Sequence, residues 1–174
     1  LKFFAGVNPL TFLKKMRPVM MFAFSTASSG ATMPLTLKVV EEKLGVHNNI
    51  ASFSIPLGAT INMDGTAIMQ GVATVFIAEA YGIDIGMAGY LTVIATAVLA
   101  SIGTAAVPGA GMITLAMVLG QVGLPVEAIG LIIGVDRLLD MMRTAVNVAG
   151  DATVSCVVAK TENLFDQAVF DRKD

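Results

Sequence analysis

Four apolar blocks run along the chain, at residues 19–40, 50–80, 87–118 and 129–158. The first is interrupted by Ser28-Ser29-Gly30 and Pro34, and the second by Asn62-Met63-Asp64-Gly65-Thr66. The third breaks near its middle, at Ser101-Ile102-Gly103-Thr104 and Val107-Pro108-Gly109. The fourth is unbroken, apolar on most faces and charged on one. A spanning helix needs about 20 apolar residues, and blocks 50–80 and 129–158 are long enough. The other two break at their midpoints, and irregular backbone at membrane depth survives only where it is buried in protein or lines a cavity. The pattern therefore predicts a re-entrant helical hairpin for each of these two; a single kinked spanning helix is the plainer alternative. The expected fold is an all-α membrane protein of two inverted units, each a re-entrant hairpin followed by a broken or polar-striped transmembrane helix. The first unit is expected over residues 10–80 and the second over 84–160. Residues 161–174 read as a polar, solvated tail.

Charge placement orients these units. Of the eleven Lys and Arg residues, eight fall in residues 14–17, 38–43 and 160–173, whereas the loops at 80–86 and 121–127 have none. The positive-inside rule puts the three basic segments in the cytoplasm. The first hairpin then opens from the cytoplasmic side and the second from outside. The units also echo each other chemically. Each has a Ser/Gly/Thr tip with a proline, at 29–34 and 103–108, and each is followed by an Asn-x-x-Gly step, at Asn62 and Asn147. Inverted repeats whose broken helices meet at the midplane are the architecture of secondary transporters.

Composition agrees with membrane residence: 55% of the 174 residues are hydrophobic and 14% charged, and mean hydropathy is +0.78. The net charge of −2 gives no basis for a nucleic-acid partner. Cys156 has no partner for a disulfide and reads as a packing residue, as do the methionines. No signal peptide is visible, and a start at Leu1 rather than Met fits a truncation of a longer chain.

The last block carries the sharpest chemistry. Asp136, Asp140, Arg143, Asn147 and Asp151 fall within an arc of roughly 80° on a helix, with Thr144 at its edge. Each Asp or Arg facing lipid at mid-membrane costs roughly 2.5–3.5 kcal/mol, so this stripe has to face protein or water. A self-neutralising ladder, with Asp140 or Asp136 paired to Arg143, is the structural alternative to a binding site. It leaves surplus negative charge for a bound cation. The break at Asn62, Asp64 and Thr66, with Gly58 and Gly65 to unwind the backbone, offers oxygen ligands suited to Na⁺. Zinc and other transition metals do not fit, because the single His and Cys lie away from the stripe. Where a broken helix restarts, free N–H groups hold anions; Ser28, Ser29, Gly30 and residues 107–111 are placed for this, although such residues also serve plain turns. Arg143 suits a substrate carboxylate and Asp140 a substrate ammonium.

Four motifs, Ser-Ser-Gly-Ala-Thr-Met-Pro at 28–34, Asn-Met-Asp-Gly-Thr at 62–66, Ser-Ile-Gly-Thr-Ala-Ala-Val-Pro-Gly-Ala-Gly at 101–111 and Asp-Met-Met-Arg-Thr-Ala-Val-Asn-Val-Ala-Gly-Asp at 140–151, occur in order. Together they closely resemble the glutamate transporter family, the dicarboxylate/amino acid:cation symporters. The resemblance implies that residues 1–174 are a portion of a mobile transport domain, moving against a fixed scaffold in a multi-pass homotrimer of the cell membrane. It implies substrate contacts from Ser29, Thr66, Val107, Gly111, Asp140, Arg143, Thr144 and Asn147. It implies one sodium site from Gly58, Asn62, Asn147 and Asp151, and a second from Thr60, Ser101, Ile102 and Thr104. A third would draw on Asn62 and Asp64, with ligands from a helix absent here. No cofactor is implied beyond coupling sodium ions. Family members usually carry one more arginine, at the position of Ala27 or of Met141. Arg137, one turn before Met141, is the candidate to supply that charge.

The resulting expectation is sodium-coupled symport of glutamate or aspartate by an elevator-type movement. A proton-coupled glutamate or C4-dicarboxylate carrier of the same family is the alternative. A fragment that holds the sites but does not transport is another. An intramembrane aspartyl protease using Asp64 and Asp140 belongs to a different class. It needs one protonated carboxyl, and Arg143 beside Asp140 opposes that.

Overall fold

The computed structural model describes residues 1–172, and among these the regular structure is helical. A short α1 (Lys2–Ala5) precedes α2 (Pro9–Thr26), which begins at Asn8, whose side chain accepts from the amides of Leu10 and Thr11. It ends at Ala27, held in left-handed backbone with φ 51° and ψ 34°. Ser28 then caps α3 (Ser29–Glu42) by accepting from the Ala31 amide. This two-residue turn folds α2 and α3 into a hairpin. After a loop, α4 (Asn48–Ile61) stops at Asn62-Met63 and α5 (Asp64–Ala80) restarts. A second hairpin follows, α6 (Gly86–Ser101) and α7 (Ala110–Gln121), with an irregular tip at 102–109. A 3₁₀ turn, Val126–Ile129, leads into α8 (Gly130–Thr161), and α9 (Gln167–Asp171) closes the described chain.

Helix α8 is the spine. Helices α2, α3, α4 and α5 all pack along it, whereas α6 and α7 pack on α5 and on each other. The core is correspondingly divided. One cluster joins α2, α3, α4, α8 and α9 through Phe12, Met16, Val40, Ile55, Cys156 and Phe170. Another joins α5, α7 and the start of α8 through Ile77, Leu115, Leu119 and Ile132. Cys156 is thus a core packing residue.

The break in residues 50–80 falls where the sequence places it, between helices of 14 and 17 residues, and the 32-residue α8 carries the expected polar stripe. No helix among the described residues is long and apolar enough to cross a membrane. The outer faces are nonetheless strongly apolar, with Phe53 70%, Ile68 65%, Ile113 72% and Ile133 66% exposed.

The tail keeps most of its residues exposed, as its polar composition predicts, but it is docked rather than free. Over residues 162–172 it folds back onto the base of the first hairpin; Lys173 and Asp174 lie outside the described residues. Asp166 N donates to Gly45 O (2.7 Å) and His47 N to Leu164 O (3.0 Å), and Phe170 is buried. The buried Lys15 ammonium donates to the carbonyls of Lys43 (3.0 Å), Val169 (3.3 Å) and Arg172 (3.0 Å). It thereby serves the C-terminal ends of both α3 and α9, where unpaired carbonyls favour a cation. A mixed polar composition hid this, because the apolar anchors are only the buried Phe170 and the partly buried Phe165.

Candidate functional site

Both hairpin tips and the break at 62–63 converge on the middle of α8. The side chains of Asp136, Asp140, Arg143, Thr144, Asn147 and Asp151 are all buried, as the helical period requires. Arg143 Nε donates to Asp140 Oδ1 (3.0 Å) and Nη1 to Asp136 Oδ1 (3.2 Å), so the ion-pair ladder exists. It does not use up the guanidinium: Nη2 is buried and has no partner among the described residues. Glycines let the neighbouring helices approach this residue. A Cβ at Gly111 would lie 2.8 Å from Arg143 Cζ, and one at Gly65 would lie 2.7 Å from the Arg143 carbonyl oxygen.

Helix N-termini at the tips already hold ligands of the protein's own. Gly109 N, at the start of α7, donates to Asp140 Oδ2 (2.8 Å), so a carboxylate occupies the positive end of that helix. At the start of α3, Gly30 N (3.2 Å) and Ser28 Oγ (2.8 Å) both donate to the carbonyl of Ala106 on the opposite tip. The two tips are therefore bonded to each other above the stripe.

Between them lies a cavity of about 20 Å³, room for roughly one water molecule. All eight predicted substrate residues line it: Ser29, Thr66, Val107, Gly111, Asp140, Arg143, Thr144 and Asn147. Thr66 is buried, while Val107 is exposed on its other side. Asn147 Oδ1 accepts from Gly65 N (2.8 Å), and its Nδ2 donates to Met63 Sδ (3.2 Å) and Thr66 Oγ1 (3.4 Å), tying α8 to the helix break.

The first expected cation group is brought together. Asn62 Nδ2 donates to Asp151 Oδ1 (2.9 Å), and a Cβ at Gly58 would come within 2.5 Å of that same oxygen. Asn147 lies one turn along α8 from Asp151. In the second group the meeting is through backbone: Gly103 N donates to Thr60 O (2.7 Å) and Thr104 N to Ser101 O (3.1 Å). The hydroxyls of Thr60, Ser101 and Thr104 turn back to carbonyls three or four residues earlier, and the Ile102 side chain is exposed. Asp64 is exposed at the start of α5 and does not line the cavity.

The structure does not bring Arg137 to the site. It is exposed, because its position lies about 80° from the centre of the α8 stripe. Ala27, by contrast, lines the cavity. Two contributors escaped the sequence. Met63 accepts from Asn147, yet its neighbours Asn62 and Asp64 drew the chemical attention. Ala106 acts through its carbonyl, for which no side chain gives a signal.

The sodium:dicarboxylate symporter family profile matches residues 1–161. The chain belongs to that family. It is 48% identical over 151 residues to an excitatory amino acid transporter of Caenorhabditis elegans, covering 87% of this chain and 30% of the relative. It is 48% identical over 153 residues to mouse excitatory amino acid transporter 3, covering 88% of this chain and 29% of that protein. Against human excitatory amino acid transporter 2 it is 46% identical over 145 residues, covering 83% and 25%. The chain thus spans less than a third of the length of these curated relatives. The family and these relatives are transporters, not enzymes.

Proposed function

We propose that the chain carries the substrate- and cation-binding portion of a membrane symporter that couples uptake of glutamate or aspartate to sodium. The observation that carries this reading is Arg143: a buried guanidinium beside the cavity, with one donor nitrogen unpartnered among surrounding glycines. Guanidinium suits a carboxylate in bidentate geometry. Asp140, between Arg143 and the α7 N-terminus, is the acceptor for a substrate ammonium. Asp151 with Asn62, Asn147 and the backbone near Gly58 offers oxygen ligands for one sodium ion, and the carbonyls around Thr60, Ser101, Ile102 and Thr104 offer them for a second. Asn62 and Asp64 would serve a third together with chain outside this sequence.

The present cavity is too small for an amino acid, so loading requires the tip contacts of Ala106 to part. The apolar outer faces suit lipid or the rest of a longer protein, and the basic residues gathered by Lys15 mark one end of the unit as cytoplasmic. In this reading the two hairpin units are inverted and re-entrant. The whole unit, within a trimer of the cell membrane, carries its cargo across by an elevator-type movement.

Uptake of labelled glutamate and aspartate into proteoliposomes, with the full-length parent, tests the proposal. An inward Na⁺ gradient is expected to drive uptake, and Arg143→Ala to abolish it for acidic substrates. Uptake driven by a proton gradient alone would replace the sodium reading with the proton-coupled one. Undiminished uptake by Arg143→Ala would remove the arginine from the site.

A further inference from the structure

Ser54 and Ser155 lie outside the four motifs, yet they lie one turn from the first cation group. On α4, Ser54, Gly58 and Asn62 recur every four residues and share a face; on α8, Asp151 and Ser155 do the same. These two faces meet in successive rungs. Asn62 Nδ2 donates to Asp151 Oδ1 at 2.9 Å, and Gly58 leaves that oxygen the space a Cβ would take. One turn further, Ser54 Oγ and Ser155 Oγ are 2.7 Å apart. Ser155 is fully buried, and its hydroxyl donates to the Asp151 carbonyl at 2.8 Å. A hydroxyl has one hydrogen, so Ser54 is the donor to Ser155. The bonds therefore run in one direction, from Ser54 through Ser155 to the backbone of Asp151.

We propose that Ser54 is a positioning residue for the cation site: through Ser155 it fixes where the Asp151 carboxylate rests against Gly58 and Asn62. The inference rests on the reading of Asp151 as a sodium ligand. Its physical basis is that the Gly58 approach tolerates little drift between α4 and α8, because the carboxylate fills the space of a missing side chain. The Ser54–Ser155 bond joins the same two faces one turn away, and it ends on Asp151 itself. Losing its donor leaves a buried Ser155 oxygen with one partner fewer and frees that part of the helix pair to shift.

The test uses the full-length parent in proteoliposomes, with Ser54→Val and Ser54→Thr. The two replacements have the same shape, and only threonine keeps a donor. Readouts are the Na⁺ concentration for half-maximal uptake, the maximal rate at saturating Na⁺, and the melting temperature. Ser54→Val is expected to raise the half-saturating Na⁺ about five- to tenfold, with the maximal rate within about twofold of the parent, as loss of one hydrogen bond predicts. Ser54→Thr is expected to restore it. Equal Na⁺ half-saturation in the parent and both variants overturns the inference and leaves the transport reading intact, as does an equal shift in both. A drop in melting temperature with unchanged Na⁺ half-saturation makes the pair a packing contact only and also overturns it. A parent whose uptake needs no Na⁺ removes the reading of Asp151 and the inference with it.

Discussion

Helices α2 and α3 of the first hairpin lie along α8, and their open end is closed by the returning tail and the Lys15 ammonium. Helices α6 and α7 of the second hairpin pack on α5 instead, and their tip reaches the rest of the site by backbone groups. Its anchors are Gly103 N on Thr60 O, Gly109 N on Asp140, and the Ala106 carbonyl under Ser28 and Gly30. Packing along a spine is lost only by separating large apolar surfaces, whereas a few hydrogen bonds break and reform at about 1 kcal/mol each. Similar lengths and a similar tip chemistry therefore yield one hairpin packed along the spine and another whose tip is held by a few hydrogen bonds. What separates them is how much of α8 each packs on: α2 and α3 lie along it, whereas α7 meets it at its start.

The largest expected effect attacks the fixed hairpin. Lys15→Met keeps the unbranched apolar stem and removes the ammonium, leaving the carbonyls of Lys43, Val169 and Arg172 without that donor. A loss of about 2–4 kcal/mol is expected, since bonds to a charged group are worth about 1.5–3 kcal/mol each but do not add fully. Thermal unfolding of the full-length protein in detergent measures it. An unchanged melting temperature would mean that the tail is not what holds the first hairpin, and the contrast between the two would rest on α8 alone.

A smaller effect is expected where the second hairpin meets the arginine. Gly111→Ala puts a Cβ 2.8 Å from Arg143 Cζ, with the guanidinium enclosed by its ladder to Asp136 and Asp140. Gly30→Ala, at the first tip, would meet the Ala106 oxygen at 3.2 Å, a contact that small adjustments relieve. Acidic-substrate affinity is therefore expected to fall about tenfold or more for Gly111→Ala and by less than about threefold for Gly30→Ala, given that 1.4 kcal/mol is tenfold. Equilibrium binding of labelled aspartate at saturating Na⁺ compares them. The reverse ranking would show that the tip-to-tip contact, and not the α7–arginine approach, limits the loaded site.

How much of this was legible before the coordinates depends on the range of the interaction. The α8 stripe is a property of one helix, and spacing alone buried Asp136, Asp140, Arg143, Asn147 and Asp151 correctly. The break at Asn62-Met63 and the tip at 102–109 were equally local, being written in Gly, Asn and Thr. The fate of Lys15 was not. Lys14 and Lys15 are adjacent and chemically identical, and only carbonyls arriving from residues 43, 169 and 172 make one of them a buried anchor. Pairing of Ser54 with Ser155 was hidden for the same reason: two serines a hundred residues apart carry no period. Asp64 stands apart: it is exposed at the start of α5, and the remaining ligands of the cation it was expected to share with Asn62 lie outside this sequence.

The smallest expected effect concerns the charge absent from the first tip. Ala27 and Met141 are the two positions at which the family resemblance leads one to expect an arginine, and Arg137 was the candidate to restore that charge from α8. Helix geometry argues against that. Sharing a face with Met141 is not sharing a face with the stripe, because Met141 itself lies about 120° from the stripe's centre at 100° per residue. Arg137 is exposed while Asp136, one residue before it, is buried and bonded to Arg143. Screening by solvent leaves an exposed charge worth little to a buried neighbour, about 0–1 kcal/mol at most. Arg137→Ala is therefore expected to change uptake rate and substrate affinity by less than about twofold. Introducing Ala27→Arg in the same background is the informative partner, because it puts a cation into the cavity lining itself. If Arg137→Ala instead matched the loss seen on disturbing Arg143, the exposed face of α8 would have to close on the site in another state. The first hairpin, which lies along that helix, would then have to move as well.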